Sequence, residues 1–298
     1  PGFVGDDAEE LFDDPTNELF ALVVDERRPG TVAHAVGHMF TALDVVRDQL
    51  SLDTWLVVGS LQRELERLET DGARDGGDRD EAMSIVLDEL LQGLLSMSGL
   101  ANESMVRDLG WHFMAAGRRI ERAIQVTMLV GTNLTAERSA PVESLVVESV
   151  LTSGESIITS RRRYRSRAVA ATTVELLFGD AGNPRSLRFQ IDRLAESLVL
   201  LDAGRSDAGA SSASGSAARR RLAALAEALA ATDLVGLADV DERGNRVVLE
   251  RFVTTVRAEL SCISDDIAAE SFTRLHPQYK LLGSIPGPRE AESLEQPS

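Results

Sequence analysis

"GWHFMAAGRRIERAIQV", residues 110–126, is apolar on nearly every side of a helix yet carries three arginines and a glutamate in its middle. At about 100° per residue, Phe113, Gly117, Ile120, Ile124 and Thr127 share one face. Trp111, Ala115, Val126 and Leu129 share another, with Arg118 and Arg122 among them and Glu121 at the edge of the first face. A helix apolar on both sides packs inside a protein. The stretch therefore predicts a helix covered by other helices, and it sets a problem. Arginine keeps its proton, so a buried one needs carboxylates, carbonyl oxygens or an anionic ligand. Two readings stay open: an Arg–Glu network that locks helix to helix, and an anion-binding pocket.

Outward from this helix the same periodicity dominates. Leu43, Val46, Leu50 and the run from Trp55 to Leu65 keep an apolar spacing of three and four, and Ile85 to Met97 repeats it. Residues 141–151, 155–178, 184–201, 217–231 and 247–272 read alike. No run alternates as a strand, and an aromatic content of 4% is low for a β protein. The expected fold is all-α, a single multi-helix bundle over residues 1–285. "TDGARDGGDRDE" predicts a charged loop over 70–81, and the small-residue run after Asp202 predicts another over 203–218. The polar tail, 286–298, is expected to be disordered.

The chain also repeats itself. "LVVDERRPGTVAHAVGHMFTAL" (22–43) aligns with "LFGDAGNPRSLRFQIDRLAESL" (177–198) at a constant offset of 155 residues. Asp25 meets Asp180, Pro29 meets Pro184 and Thr31 meets Ser186, while Val32, Val36, Met39 and Leu43 meet Leu187, Ile191, Leu194 and Leu198. Each copy reads as a helix ending at the aspartate, a short turn, then proline and a capping hydroxyl at the next helix. "ANESM" (101–105) and "AAESF" (268–272) form a weaker match. Two pseudo-repeated halves, about 1–135 and 136–285, are expected to pack on one another. The counterpart of the arginine helix would lie before residue 1, so the first repeat is expected to lack its first helix. That would leave an apolar groove near Leu43, Val46 and Trp55.

Composition narrows the function. A net charge of −17 argues against a nucleic-acid partner, since phosphate contacts need a basic face. Among 31 basic residues Lys280 is the lone lysine, and the arginines cluster at 161–167 and 219–221, which suits local anion sites. No unbroken apolar run reaches the ~18 residues of a membrane span. The single cysteine, Cys262, excludes an internal disulfide and a Cys-rich zinc site, fits a cytoplasmic protein, and falls in an apolar stripe. No metal site and no cofactor are called for: His34 and His38 share a helix face but lack the glutamate of a zinc-protease helix.

Other candidates for the site follow from spacing. From "ESIITSRRRYRSR" (155–167) onward, Ile157, Arg161, Tyr164, Ala168 and Ala171 form a stripe that turns Arg161 and Tyr164 inward and leaves Arg162 and Arg163 in solvent. "NPRSLRFQ" (183–190) places Asn183, Arg185, Ser186 and Gln190 at a helix start. Arg185 opposes the helix dipole there, which calls for a carboxylate or bound anion. Glu103 and Arg107, four apart, suit a helix salt bridge or a contribution to the arginine cluster.

Together, "GWHFMAAGRRIERA", "RRRY" and "NPRSLRFQ" resemble the bacterial alpha-E domain family, from about Leu11 to His276. The family's Glu-Arg motif is matched by Glu121-Arg122. The resemblance implies a helical domain encoded beside, or fused behind, a circularly permuted ATP-grasp domain, often near a transglutaminase-like protein. ATP-grasp enzymes join carboxylates to amines through an acyl phosphate, so the implied setting is an amide- or peptide-forming system. The expected function is a non-catalytic accessory module that works with the ligase and binds an anionic or peptide substrate, or the partner itself. The alternative is a stand-alone enzyme of amide-bond metabolism, with Glu121 or Glu103 as base beside an arginine-bound carboxylate.

Overall fold

The computed structural model describes residues 15–72, 79–165, 168–207 and 215–272. Among these the fold is all-α. Its helices are α1 (Pro15–Val24), α2 (Val32–Val45), α3 (Leu52–Gly72), α4 (Arg79–Ser104), α5 (Leu109–Asn133), α6 (Ala140–Ser153), α7 (Ile157–Tyr164), α8 (Ala170–Val174), α9 (Leu187–Asp207), α10 (Ala217–Ala231) and α11 (Val247–Phe272). No strand forms among the described residues, which hold one isolated antiparallel bridge between Ala136 and Asn245.

The helices reach further into the expected loops than composition suggested: α3 runs to Gly72, α4 begins at Arg79, α9 runs to Asp207 and α10 starts at Ala217. The remainders, 73–78 and 208–214, and the tail 286–298 lie outside the described residues. The expected single helix over 155–178 is instead broken. Arg165 closes α7 with φ +49°, a left-handed conformation that a side chain adopts at a cost of about 1 kcal/mol. After α8 the chain makes one π-helical turn over Glu175–Gly179. That turn plunges Leu176, Leu177 and Phe178 into full burial.

By packing, the chain divides into two compact units, Pro1–Val106 and Arg107–Ser298. The repeat reading divides it by sequence correspondence, near residue 135. The packing boundary comes earlier because α5 gives its apolar face to the second core. In the first unit α3 and α4 pair, and Val23, Leu61, Val86 and Leu90 form the buried cluster, flanked by Phe20, Met39 and Met97. Leu43, Val46 and Trp55, where a groove was expected, are half-buried, with the Arg47 guanidinium 4.5 Å above the Trp55 ring. Exposed apolar positions do lie beside them, at Val45, Leu52 and Leu56, and others form a second face of α4 at Leu87, Leu91, Leu94 and Leu95. By length and mean hydropathy the stretch Asp80–Ser104 could cross a membrane, and only 11% of its most apolar window is buried within the protein, although Asp88 and Glu89 sit near its middle.

In the second unit α5 packs most extensively on α9 and also on α11, which in turn pairs with α10. Ala115, Ala116, Ile120, Ala123, Val126, Thr127 and Val130 are the buried stripe of α5. Small alanines on that stripe let the neighbouring helices approach closely. Leu187, Ile191, Leu194, Leu198 and Leu201 of α9 complete the core with Leu249, Val253, Val256, Leu260 and Ile263 of α11.

The two aligned turns are built with the same hydrogen bonds. Thr31 donates to the Asp25 carbonyl at 2.5 Å and accepts from the His34 amide at 3.2 Å. Ser186 donates to the Asp180 carbonyl at 2.5 Å and accepts from the Phe189 amide at 3.1 Å. The aspartate side chains accept at 2.9 Å from Arg27 N and Gly182 N respectively. Each proline lies within the turn, before the helix rather than in its first turn. The two turns differ at Gly30, which has φ +94°, a conformation Arg185 does not take.

Candidate functional site

Asp108 starts the arginine helix by accepting a hydrogen bond from Trp111 N at 3.1 Å, satisfying one orphan amide of its first turn. From that register the three arginines meet different fates. Arg119 lies on the packed side, donates to the buried Gln190 amide oxygen at 3.3 Å and sits 5.6 Å over the Phe189 ring. Gln190 in turn donates to the Pro184 carbonyl at 2.5 Å. Arg119 is thus a structural tie between α5 and the start of α9. Arg118 and Arg122 lie on the edge of the packed face, half-buried. Arg118 has only the Met114 sulfur at 3.9 Å. Arg122 has no hydrogen bond or ion pair among the described residues.

The expected Arg–Glu lock on this helix is not made. Glu121 points to solvent and pairs with none of the three. The consequence is electrostatic. Burial pushes all three guanidinium pKa values down. Next come the positive neighbours: Arg122, Arg118 and Arg193 around Arg119, and Arg185 and Arg118 around Arg122. Glu196 acts against the shift at Arg119 and Glu155 at Arg122, and arginine stays protonated regardless, so the shifts report chiefly burial, with crowding by like charge second.

Arg122 lines a small open cleft with Gln125, Val126 and Leu129 of α5, Ser153 and Gly154 at the end of α6, and Arg185. Its volume is about 80 Å³, against the ~300–1,000 Å³ of a drug-sized ligand site, so it suits one carboxylate or phosphate group. The walls are tied together. Asn183, 4% exposed, donates to Ser156 Oγ at 3.0 Å and accepts from Arg185 N at 3.1 Å. Ser156 donates on to the Gly154 carbonyl at 2.9 Å. Ser186 caps α9, as its spacing implied. Beside Gly154, Glu155 holds a left-handed φ of +47° and ion-pairs with Arg185. A non-glycine residue in that region stores strain, and such strain gathers at ligand sites. The carboxylate that the dipole argument demanded for Arg185 is therefore Glu155.

Other candidates fall away from the cleft. Arg161 does not turn inward: it is exposed and pairs with Glu148 at 2.7 Å. The break at Arg165 ends the stripe on which its inward direction rested. Arg163, expected free in solvent, binds the well-hidden Asp180 at 2.9 Å. Tyr164 is half-buried and donates to Glu175 at 2.9 Å; burial, then that carboxylate, raises its pKa. Glu103 is exposed in the first unit, while Arg107, in the second, lies 4.1 Å over the Trp111 ring. Cys262 faces solvent, outside the buried stripe of α11. His34 Nδ1 bonds the Glu26 carbonyl at 2.9 Å, and no group of three or more His, Cys, Asp or Glu among the described residues is placed to hold a metal.

Sequence periodicity missed one residue altogether. Arg246 is 4% exposed and donates to the carbonyls of Leu134 (2.9 Å), Ala136 (3.3 Å) and Ala238 (3.1 Å) and to Glu143 Oε1 (2.6 Å). Backbone bonds from Arg246 N to Thr135 O and from Glu137 N to Gly244 O, both 2.7 Å, clamp the same two segments. A lock of the expected chemistry exists, then, but at the far end of α5.

The chain matches the Alpha-E family, described as "a predicted alpha-helical domain with a conserved ER motif", over residues 4–272. It belongs to that family. Of the Glu-Arg pairs in the chain, Glu121-Arg122 has its arginine in the cleft and its glutamate in solvent. The uncharacterized protein Rv2567 of Mycobacterium tuberculosis is 38% identical over 180 residues, 60% of this chain and 20% of that protein. Uncharacterized protein Mb2597 of Mycobacterium bovis matches with the same identity and coverage. The matched part of this Alpha-E chain thus spans about one fifth of the length of the curated relatives. No solved structure matches it.

Proposed function

We propose that this Alpha-E chain is a non-catalytic, cytoplasmic binding module that holds an anionic group in the cleft between Arg122 and Arg185 and works beside an ATP-grasp amide or peptide ligase. One observation carries the binding site: half-buried guanidinium groups on α5 stand without a carboxylate, next to a third arginine. The carboxylates considered as bases, Glu121 and Glu103, are both exposed and neither lines the cleft, which favours binding over catalysis.

Thermal melting in inorganic phosphate, against chloride at matched ionic strength, tests the site. Phosphate is expected to raise the Tm, with a stabilisation of about 2.7 kcal/mol at a hundredfold excess over Kd. Arg122→Leu should abolish that rise without lowering the ligand-free Tm, because it relieves repulsion and orphans no carboxylate. Arg162→Leu, exposed on α7, should respond to phosphate like the wild type. A wild-type Tm indifferent to phosphate would remove the anion site. The ligase association is tested separately, by co-purification with an ATP-grasp partner encoded nearby and by ATP consumption of the complex; a partner that neither binds nor responds to the chain counts against it.

A further inference from the structure

Unpaired donors continue along α5 beyond the cleft. Taken at about 100° per residue, Trp111, Arg118, Arg122, Gln125 and Leu129 fall in one stripe that borders the packed face. Trp111 Nε1 is buried without a hydrogen-bond partner. Among the described residues Arg118 has only a sulfur at 3.9 Å, and Arg122 has no hydrogen-bond or ion-pair partner. All three are donors, and neither Trp111 nor Arg118 lines the cleft. On α9, Phe189 has the Arg119 guanidinium at 5.6 Å and that of Arg193 at 5.3 Å. The three carboxylates on that side are each already held by an arginine: Glu155 by Arg185, Asp192 by Arg188 and Glu196 by Arg193. A net positive strip in a chain of net charge −17 is a local exception.

Resting on the anion-site reading, we infer that the ligand is an extended acidic peptide, one carboxylate of which enters the Arg122–Arg185 cleft while the rest runs along α5 past Arg118 toward Trp111. A cavity of about 80 Å³ holds one anionic group and no more, so a carboxylate that pairs with Arg118 lies outside it, and the Trp111 ring, whose Nε1 is buried, marks the end of the strip. Spacing supports a peptide. At ~1.5 Å rise per residue, Arg118 stands about 6 Å from Arg122 along the axis and Trp111 about 10.5 Å further. Same-side carboxylates on an extended chain are about 6.8 Å apart, and three more residues span about 10 Å. A single phosphate cannot bridge that separation.

The Trp55→Phe protein retains Trp111 as its only indole, because the chain holds two tryptophans. It is titrated with hexaglutamate, glutamate, inorganic phosphate and an oligothymidylate, following indole emission and, in parallel, calorimetry. Hexaglutamate is expected to bind at least about tenfold more tightly than glutamate or phosphate, equivalent to ~1.4 kcal/mol, and to shift Trp111 emission. Arg118→Leu should reduce hexaglutamate to single-anion affinity while leaving phosphate binding intact, and Arg118→Gln, which keeps a polar side chain, should do the same. Phosphate binding with hexaglutamate no tighter, or an Arg118 variant that changes nothing, overturns the extended ligand and leaves the cleft standing. Tighter binding of oligothymidylate overturns the peptide. Failure of every probe overturns the cleft as well.

Discussion

Arg246→Leu is expected to lower the stability of the second unit by about 3–5 kcal/mol, the usual cost of breaking one side of a buried ion pair. The guanidinium is 5% exposed and Glu143 16%, so the substitution leaves a carboxylate with little water around it. It also strips the side-chain donor from the Leu134 and Ala238 carbonyl oxygens, at 2.9 and 3.1 Å, whereas the Ala136 carbonyl keeps its bond from Arg138 at 3.1 Å. Glu143 keeps one bond, accepting from Arg138 N at 3.2 Å, so Glu143→Gln in the Arg246→Leu background should recover part of the loss. Urea denaturation followed by far-UV circular dichroism reads both. Arg122→Leu belongs in the same experiment, because the two arginines invert the roles that periodicity suggests. A loss at Arg122 as large as that at Arg246 would mean the α5 cluster is a lock after all.

The reason for that inversion lies in what a sequence exposes. Periodicity places Arg118 and Arg122 on a helix that must be covered, and the covering is observed. Whether a carboxylate meets them depends on α9 and on the loop after α6, which pairing along one helix does not reveal. Arg246 sits in "DERGNRVVLE" (241–250), a polar turn running into a helix, where nothing local marks it as buried. Three of its four acceptors are contributed by residues more than a hundred positions away, at Leu134, Ala136 and Glu143. Short-range chemistry was legible: Thr31 and Ser186 cap their helices through contacts three residues apart. Arg161 was misread for a short-range reason too, since a stripe drawn from Ile157 through Tyr164 to Ala171 assumes a helix that continues. The left-handed Arg165 ends it, and no glycine or proline announces the break. Glu155 escaped notice similarly, as a left-handed residue that neighbours a glycine without being one.

Asn183→Ala is the second substitution expected to have a large effect, roughly 2–4 kcal/mol from an orphaned amide and a small cavity. Asn183 is buried and joins the turn before α9 to the loop after α6, through Ser156 Oγ at 3.0 Å and Arg185 N at 3.1 Å. Alanine leaves Arg185 N without an acceptor and frees the segment that aims the Arg185 side chain. Ser156→Ala removes only a hydroxyl and leaves Arg185 N bonded to Asn183, so it should cost less, about 1 kcal/mol. The two variants then separate stability from site geometry. Measured well below either melting transition, Asn183→Ala should bind phosphate more weakly than wild type, whereas Arg162→Leu should not. Arg185 remains charged in both, so a loss of affinity reports its position rather than its charge. If Asn183→Ala unfolds more easily yet binds phosphate as tightly as the wild type, the turn is only structural, and Arg122 must hold the anion without help from Arg185.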